Sequence, residues 1–97
     1  MAFAIILVKL TRDGKTDIKD TPKRVEGARK TVESFGGKWI GIYATLGAYD
    51  YVAITEFPDV EKILATAAAV SATGTVDLET LIGVEESGWK DVVEMLP

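Results

Sequence analysis

Asp77 and Glu79 stand two residues apart in a run that alternates like a strand, so both carboxylates point to one side. Two carboxyls enclosed together separate in proton affinity, and the one held neutral can act as an acid or a base. Trp39, Tyr43 and Tyr51 fall on the same predicted sheet face, and Tyr49 with Asp50 stands in the loop that leads into it. These seven residues form the expected ligand-binding set, with a small apolar or aromatic molecule as the ligand. Two carboxylates without a third ligand are thin grounds for a hard cation, so neither a metal nor a cofactor is expected. A solvated rim is the plainer role for Asp77 and Glu79.

The residue types that are missing narrow the chemistry further. The 97-residue chain has no His, Cys, Asn or Gln. That removes Ser-His-Asp and Cys-His nucleophilic schemes, His or Cys zinc sites, and His or Cys ligation of haem. The absence of cysteine excludes a disulfide framework and fits a reducing, cytoplasmic setting. A net charge of −4 without a basic run argues against a nucleic-acid groove. The apolar run Ala2 to Val8 has no basic residue ahead of it and ends in Lys9, so it reads as a strand, neither a signal peptide nor a membrane span. Gly14-Lys15-Thr16 resembles the end of a phosphate loop, but Lys9 stands where its first glycine belongs.

The elements that must position these residues follow from periodicity. The first strand, Phe3 to Val8, is apolar throughout and needs cover on both faces. A turn at Arg12-Asp13-Gly14 precedes a helix with Thr21 as N-cap and Pro22 at its first position, carrying Val25, Ala28, Val32 and Phe35 on one stripe and stopped by Gly36-Gly37. Strands Lys38 to Ala44 and Asp50 to Phe57 make a hairpin with a slightly long loop. Asp59 caps a second helix with Val60, Ile63, Leu64, Ala67 and Val70 or Ser71 on its buried stripe, where the alanines let it pack closely. Strand Thr75 to Gly83 and a helix over residues 85–96, with Trp89, Val92, Val93 and Leu96 on one side, complete the chain.

The order βαββαβ predicts an α+β, ferredoxin-like domain over residues 1–84 with a four-stranded antiparallel sheet, followed by a C-terminal helical extension over residues 85–97. In this reading the aliphatic rows of strands two to four lie under the helices. The other face holds Trp39, Tyr43, Tyr51, Thr55, Asp77, Glu79 and Leu81 with a row of strand one such as Phe3-Ile5-Leu7. Such a face is too apolar for water, which predicts an obligate homodimer in which two sheets form a dimeric α+β barrel around a lined interior.

The residues Gly47-Ala48-Tyr49-Asp50, continued by Val52, Glu56 and Pro58-Asp59, carry a resemblance. Lys19, Pro22, Arg24, Gly36-Gly37, Gly74 and Thr80 extend it, so that it covers Phe3 to Gly83. On these motifs the chain resembles the GYD domain family, which implies a dimeric α+β barrel and little established biochemistry. One departure is Thr11 after Leu10, where many relatives have tryptophan-threonine. For the motif itself, Gly47 is expected to supply a backbone angle that glycine adopts cheaply. Tyr49 either closes a barrel end or packs on its neighbours, Asp50 either acts as a base or accepts backbone N–H groups, and Glu56 pairs with Arg24. The structural role is preferred in each case.

Three functions remain in view. The first is a small-molecule binding or regulatory module with its pocket in the dimer barrel. The second is a cofactor-independent monooxygenase or isomerase on the same scaffold, a reading that rests on fold analogy. The third is an assembly protein in which Trp89 drives oligomers larger than the dimer. No nucleic acid and no membrane is expected as partner.

Overall fold

Side-chain alternation along the central strands decides which surface of the sheet becomes the core. The computed structural model describes residues 2–97. Strand β1 (Ala2–Leu10) leads through a short helix α1 (Arg12–Thr16) and a 3-10 turn (Ile18–Asp20) into helix α2 (Thr21–Ser34). Strands β2 (Lys38–Ala44) and β3 (Tyr51–Phe57), helix α3 (Val60–Ser71), strand β4 (Val76–Gly83) and helix α4 (Glu86–Glu94) follow. All pairings are antiparallel and the strand order is β2-β3-β1-β4. This is the expected ferredoxin-like arrangement, with α2 and α3 on one side.

The expected α+β barrel is overturned. The four-stranded sheet is open, with β2 and β4 as its edges. At about 4.8 Å between strands and a twist of roughly 20–25° from each to the next, four strands cannot wrap far enough for their edges to meet.

The helix side of the sheet holds a compact cluster of Ala4, Ile6, Val32, Ala53, Phe57 and Ile63. Phe57 is wholly buried, and so is Thr55, whose hydroxyl donates to the Ala4 carbonyl at 2.9 Å. The partition of β3 is therefore the reverse of that expected. Ala53, Thr55 and Phe57 face the helices, and Val52 and Ile54 face away. Tyr51, in step with Ala53, moves to the helix side with them.

In β2 the parity changes midway. Trp39 pairs with Thr55, but the next partners are Gly41 and Ile54, so Ile40 is a bulged extra residue. The bulge lets Trp39 and Ile42 both pack on the core, although they are three positions apart. Strand β4 alternates as expected, with Val76 and Leu78 inward and Asp77, Glu79 and Leu81 outward.

Local signals at the helix ends were partly obeyed. Asp59 caps α3 by accepting the Lys62 N–H at 2.8 Å. Thr21 is the first residue of α2 rather than its cap, and its hydroxyl donates to the Ile18 carbonyl at 2.6 Å. The expected turn at Arg12 is the helix α1, capped by the Thr11 hydroxyl, which accepts the Gly14 N–H at 3.2 Å. Gly36 closes α2 at φ +80°, and the following Gly37 N–H returns to the Val32 carbonyl at 2.9 Å.

Gly37 also touches the core. A Cβ there would lie 2.6 Å from the wholly buried Phe57 ring and 2.8 Å from Val32, so one of them would have to shift. Gly37→Ala is expected to lower the unfolding free energy by about 1–3 kcal/mol through overpacking. Gly27→Ala, on an exposed turn of α2 with open space around it, is expected to raise it by roughly 0.5–1 kcal/mol. Urea denaturation of the two variants checks the opposite signs.

Candidate functional site

The Gly47-Ala48-Tyr49-Asp50 motif is a clasp between the β2–β3 loop and the central strand. Gly47 turns the loop at φ +107°, in the region that favours glycine. Thr45 receives the returning chain, its N–H donating to the Asp50 carbonyl at 2.8 Å and its hydroxyl to the Tyr49 carbonyl at 2.7 Å. The Asp50 N–H donates to the Val8 carbonyl at 2.8 Å. One step further on, the Asp50 carboxylate accepts the Leu10 N–H at 2.8 Å. A side chain thus replaces the ladder carbonyl that β3 no longer supplies.

Tyr49 reaches across β1 from this clasp, and its hydroxyl donates to the Glu79 carboxylate. That hydrogen bond, followed by desolvation and the Glu79 charge, holds the Tyr49 phenol above the ordinary tyrosine pKa. Glu79 and Asp77 lie on the exposed outer face of β4, at the rim of the sheet. Leu7 is the β1 partner of Glu79, and Lys9 is the partner of Asp77.

The seven expected site residues therefore divide. Tyr49, Glu79, Asp77 and the exposed Tyr43 belong to the open face and its rim, Asp50 belongs to the clasp, and Trp39 and Tyr51 lie beneath the helices. The expected Glu56–Arg24 pair does not form, because the Arg24 guanidinium donates to the Gly14 carbonyl at 3.1 Å and to that of Asp17. Glu56 belongs to the opposite face of the sheet and stands beside Lys38 in the β2–β3 register.

Two surfaces remain once the clasp is accounted for. The first is the open face, where the register sets Gly41, Ile54, Ile5 and Leu81 in one row across the sheet and Tyr43, Val52, Leu7 and Glu79 in the next. Leu81 is 46% exposed and Tyr43 62%.

The second is a cavity of about 340 Å³ under the helices, partly open to solvent, with Trp39, Ile42 and Tyr51 on its floor and Val25, Ala28 and Ala67 among its walls. Periodicity had suggested that the alanines of α3 would draw the helix close. Instead, alanines line a gap at this end of the sheet.

No group of three or more His, Cys, Asp or Glu side chains able to hold a metal occurs among the described residues. No helix among them is long and apolar enough to cross a membrane.

The GYD domain model matches residues 5–93, from β1 to within α4. The chain belongs to the GYD domain family. It is similar to a Thermus thermophilus protein named "Glutamine synthetase and cystathionine beta-lyase binding protein", 31% identical over 82 residues, which span 84% of this chain and 86% of the relative. A crystal structure of a Thermus thermophilus protein superposes with a TM-score of 0.57 at 21% identity, covering 88% of this chain and 95% of that one. The leucine response regulatory protein of Mycobacterium tuberculosis superposes with a TM-score of 0.57 at 13% identity over 87% of this chain and 51% of the regulator. This GYD-family chain and the regulator share a fold.

Two outcomes follow from the clasp. Asp50→Ala strands the part-buried Leu10 N–H and is expected to cost about 1–3 kcal/mol, read as a lower urea midpoint. For Tyr49 the fold favours the neutral phenol. The stabilisation from its contact is complete below the ordinary value near 10 and is lost as the pH rises through the raised value. Absorbance at 295 nm is expected to show one tyrosine titrating late in the native chain, and Glu79→Ala is expected to return it to the ordinary range.

Proposed function

We propose that this GYD-family chain is a regulatory, small-molecule-binding module that acts by association and not by catalysis. The observation that carries this reading is the apolar open face. Ile5, Leu7, Val52, Ile54 and Leu81 make a continuous patch on the outer side of the sheet, and contiguous apolar surface of this kind marks an interaction site.

A second copy of the chain is the occupant that fits. Lys38 lies beside Glu56 at one end of the face and Lys9 beside Asp77 at the other. Both signs of charge therefore stand at the rim around an apolar centre, which is the self-complementarity a two-fold contact needs. A homodimer, able to build larger assemblies, follows from this reading. The relative named for binding glutamine synthetase and cystathionine beta-lyase supports a role exerted on other proteins.

The competing monooxygenase or isomerase reading placed its chemistry in a barrel interior, and the open sheet does not provide one. The two carboxylates it could use, Asp77 and Glu79, are exposed.

Light scattering at micromolar concentration is expected to give a mass of at least two subunits. Ile54→Lys, a charge at the centre of the patch, is expected to reduce it to one subunit with the far-UV circular dichroism unchanged. A wild-type monomer, or an Ile54→Lys variant of unchanged mass, overturns the proposal.

A further inference from the structure

We infer that the space between α2, α3 and the sheet is a binding site for a neutral, apolar, ring-sized molecule held within a single subunit. The inference rests on the small-molecule half of the reading above and is independent of the association half.

The two helices pack unequally along their length. Where α2 ends and α3 begins, Val32 and Ile63 press on Phe57 and fill the layer. Where α2 begins and α3 ends, the facing residues include Gly27, Ala28, Ala67 and Ala69, and the layer is left with about 340 Å³ of space. The floor there is broad and aromatic, from Trp39 and Tyr51, and the small helix residues cannot reach down to it. The exposed Gly27, Ala69 and Thr73 also line the cavity, and they mark its mouth between the helices.

The chemistry of the lining selects the occupant. The threonines are already engaged: Thr21 donates to the Ile18 carbonyl, Thr31 to that of Gly27 at 3.0 Å, Thr66 to that of Lys62 at 2.9 Å and Thr73 to that of Val70 at 2.8 Å. Each therefore has its hydroxyl hydrogen committed to the backbone. Arg24, which also lines the space, directs its Nη2 to the Gly14 and Asp17 carbonyls.

No buried side-chain nitrogen or oxygen among the described residues lacks a partner. An ordered water needs two to four polar partners, which this lining supplies poorly. A charged group seated among the apolar residues away from Arg24 would be stripped of water without compensation. An apolar ligand meets neither obstacle. A cavity of roughly 150 Å³ holds benzene, so this one, at about 340 Å³, has space for an aromatic molecule of two or three rings or a branched aliphatic one, with at most one polar group.

The test uses N-phenyl-1-naphthylamine, a neutral fluorescent probe that accepts energy from tryptophan, on the full chain carrying Trp89→Phe, so that Trp39 is the remaining tryptophan. The expected result is saturable binding of one probe per subunit with quenching of Trp39. Ala67→Leu and, separately, Ala28→Leu fill the space from opposite helices, and each is expected to weaken binding at least about tenfold while keeping the native far-UV spectrum. If one of them fails to fold, the other decides.

Ile54→Lys removes the open face as a rival site, and the quench is expected to persist in it. Absence of saturable binding, binding that survives the cavity-filling leucines, or binding lost with Ile54→Lys overturns the inference. A chain that proves monomeric yet binds the probe overturns only the association reading.

Discussion

The alternation of β3 is the constraint from which the other features follow. Ala53, Thr55 and Phe57 point to one side, and the hydrogen bond from Thr55 to the Ala4 carbonyl lets a polar residue sit fully buried there. With Phe57 beneath Val32 and Ile63, that side is the core, and Val52 and Ile54 are turned outward beside Ile5 and Leu7. A slip of one residue in this pairing would exchange the two sets. The surface available for association and the floor of the cavity are the two consequences of the same register.

The family motif protects that register at its weak point. A central strand that outlasts its neighbour leaves a backbone N–H unmet, and Asp50 meets it at Leu10. Gly47 allows the loop to turn back, Thr45 fastens it, and Tyr49 ties the loop to the far edge strand through Glu79. The motif thus spans from the β2–β3 hairpin across β1 to β4. Its residues have the composition of a catalytic site, and the hydrogen bonds they make here hold the fold together.

The cavity and the open face answer different needs. The open face is aliphatic, broad and rimmed by paired charges, which suits a protein surface. The cavity is concave, aromatic-floored and lined mainly by apolar side chains, which suits a small molecule. Both lie on the same two central strands, with Tyr51 and Ala53 on one side of β3 and Val52 and Ile54 on the other.

Much of this was legible in the sequence. Periodicity placed the strands and helices in the right order, Asp59 marked the start of α3, the alternation of β4 put Asp77, Glu79 and Leu81 outward, and the Gly-x-Tyr-Asp motif with its flanks pointed to the family. These signals are local, each set by a few neighbouring residues. The facing of Trp39 and Tyr51 was not legible. Trp39 is turned by a bulge at Ile40 that exists only against β3, and Tyr51 by a choice between two rows of β3 that are both apolar enough to be buried. The open edges of the sheet and the gap above Ala67 are likewise products of how twisted strands and helices of unequal bulk meet. The amino-acid order by itself determined which segments form and in what succession, because hydrogen bonding and side-chain period act over short range. Only the tertiary structure decided which side of the sheet each aromatic ring serves, because that depends on pairing between segments distant along the chain.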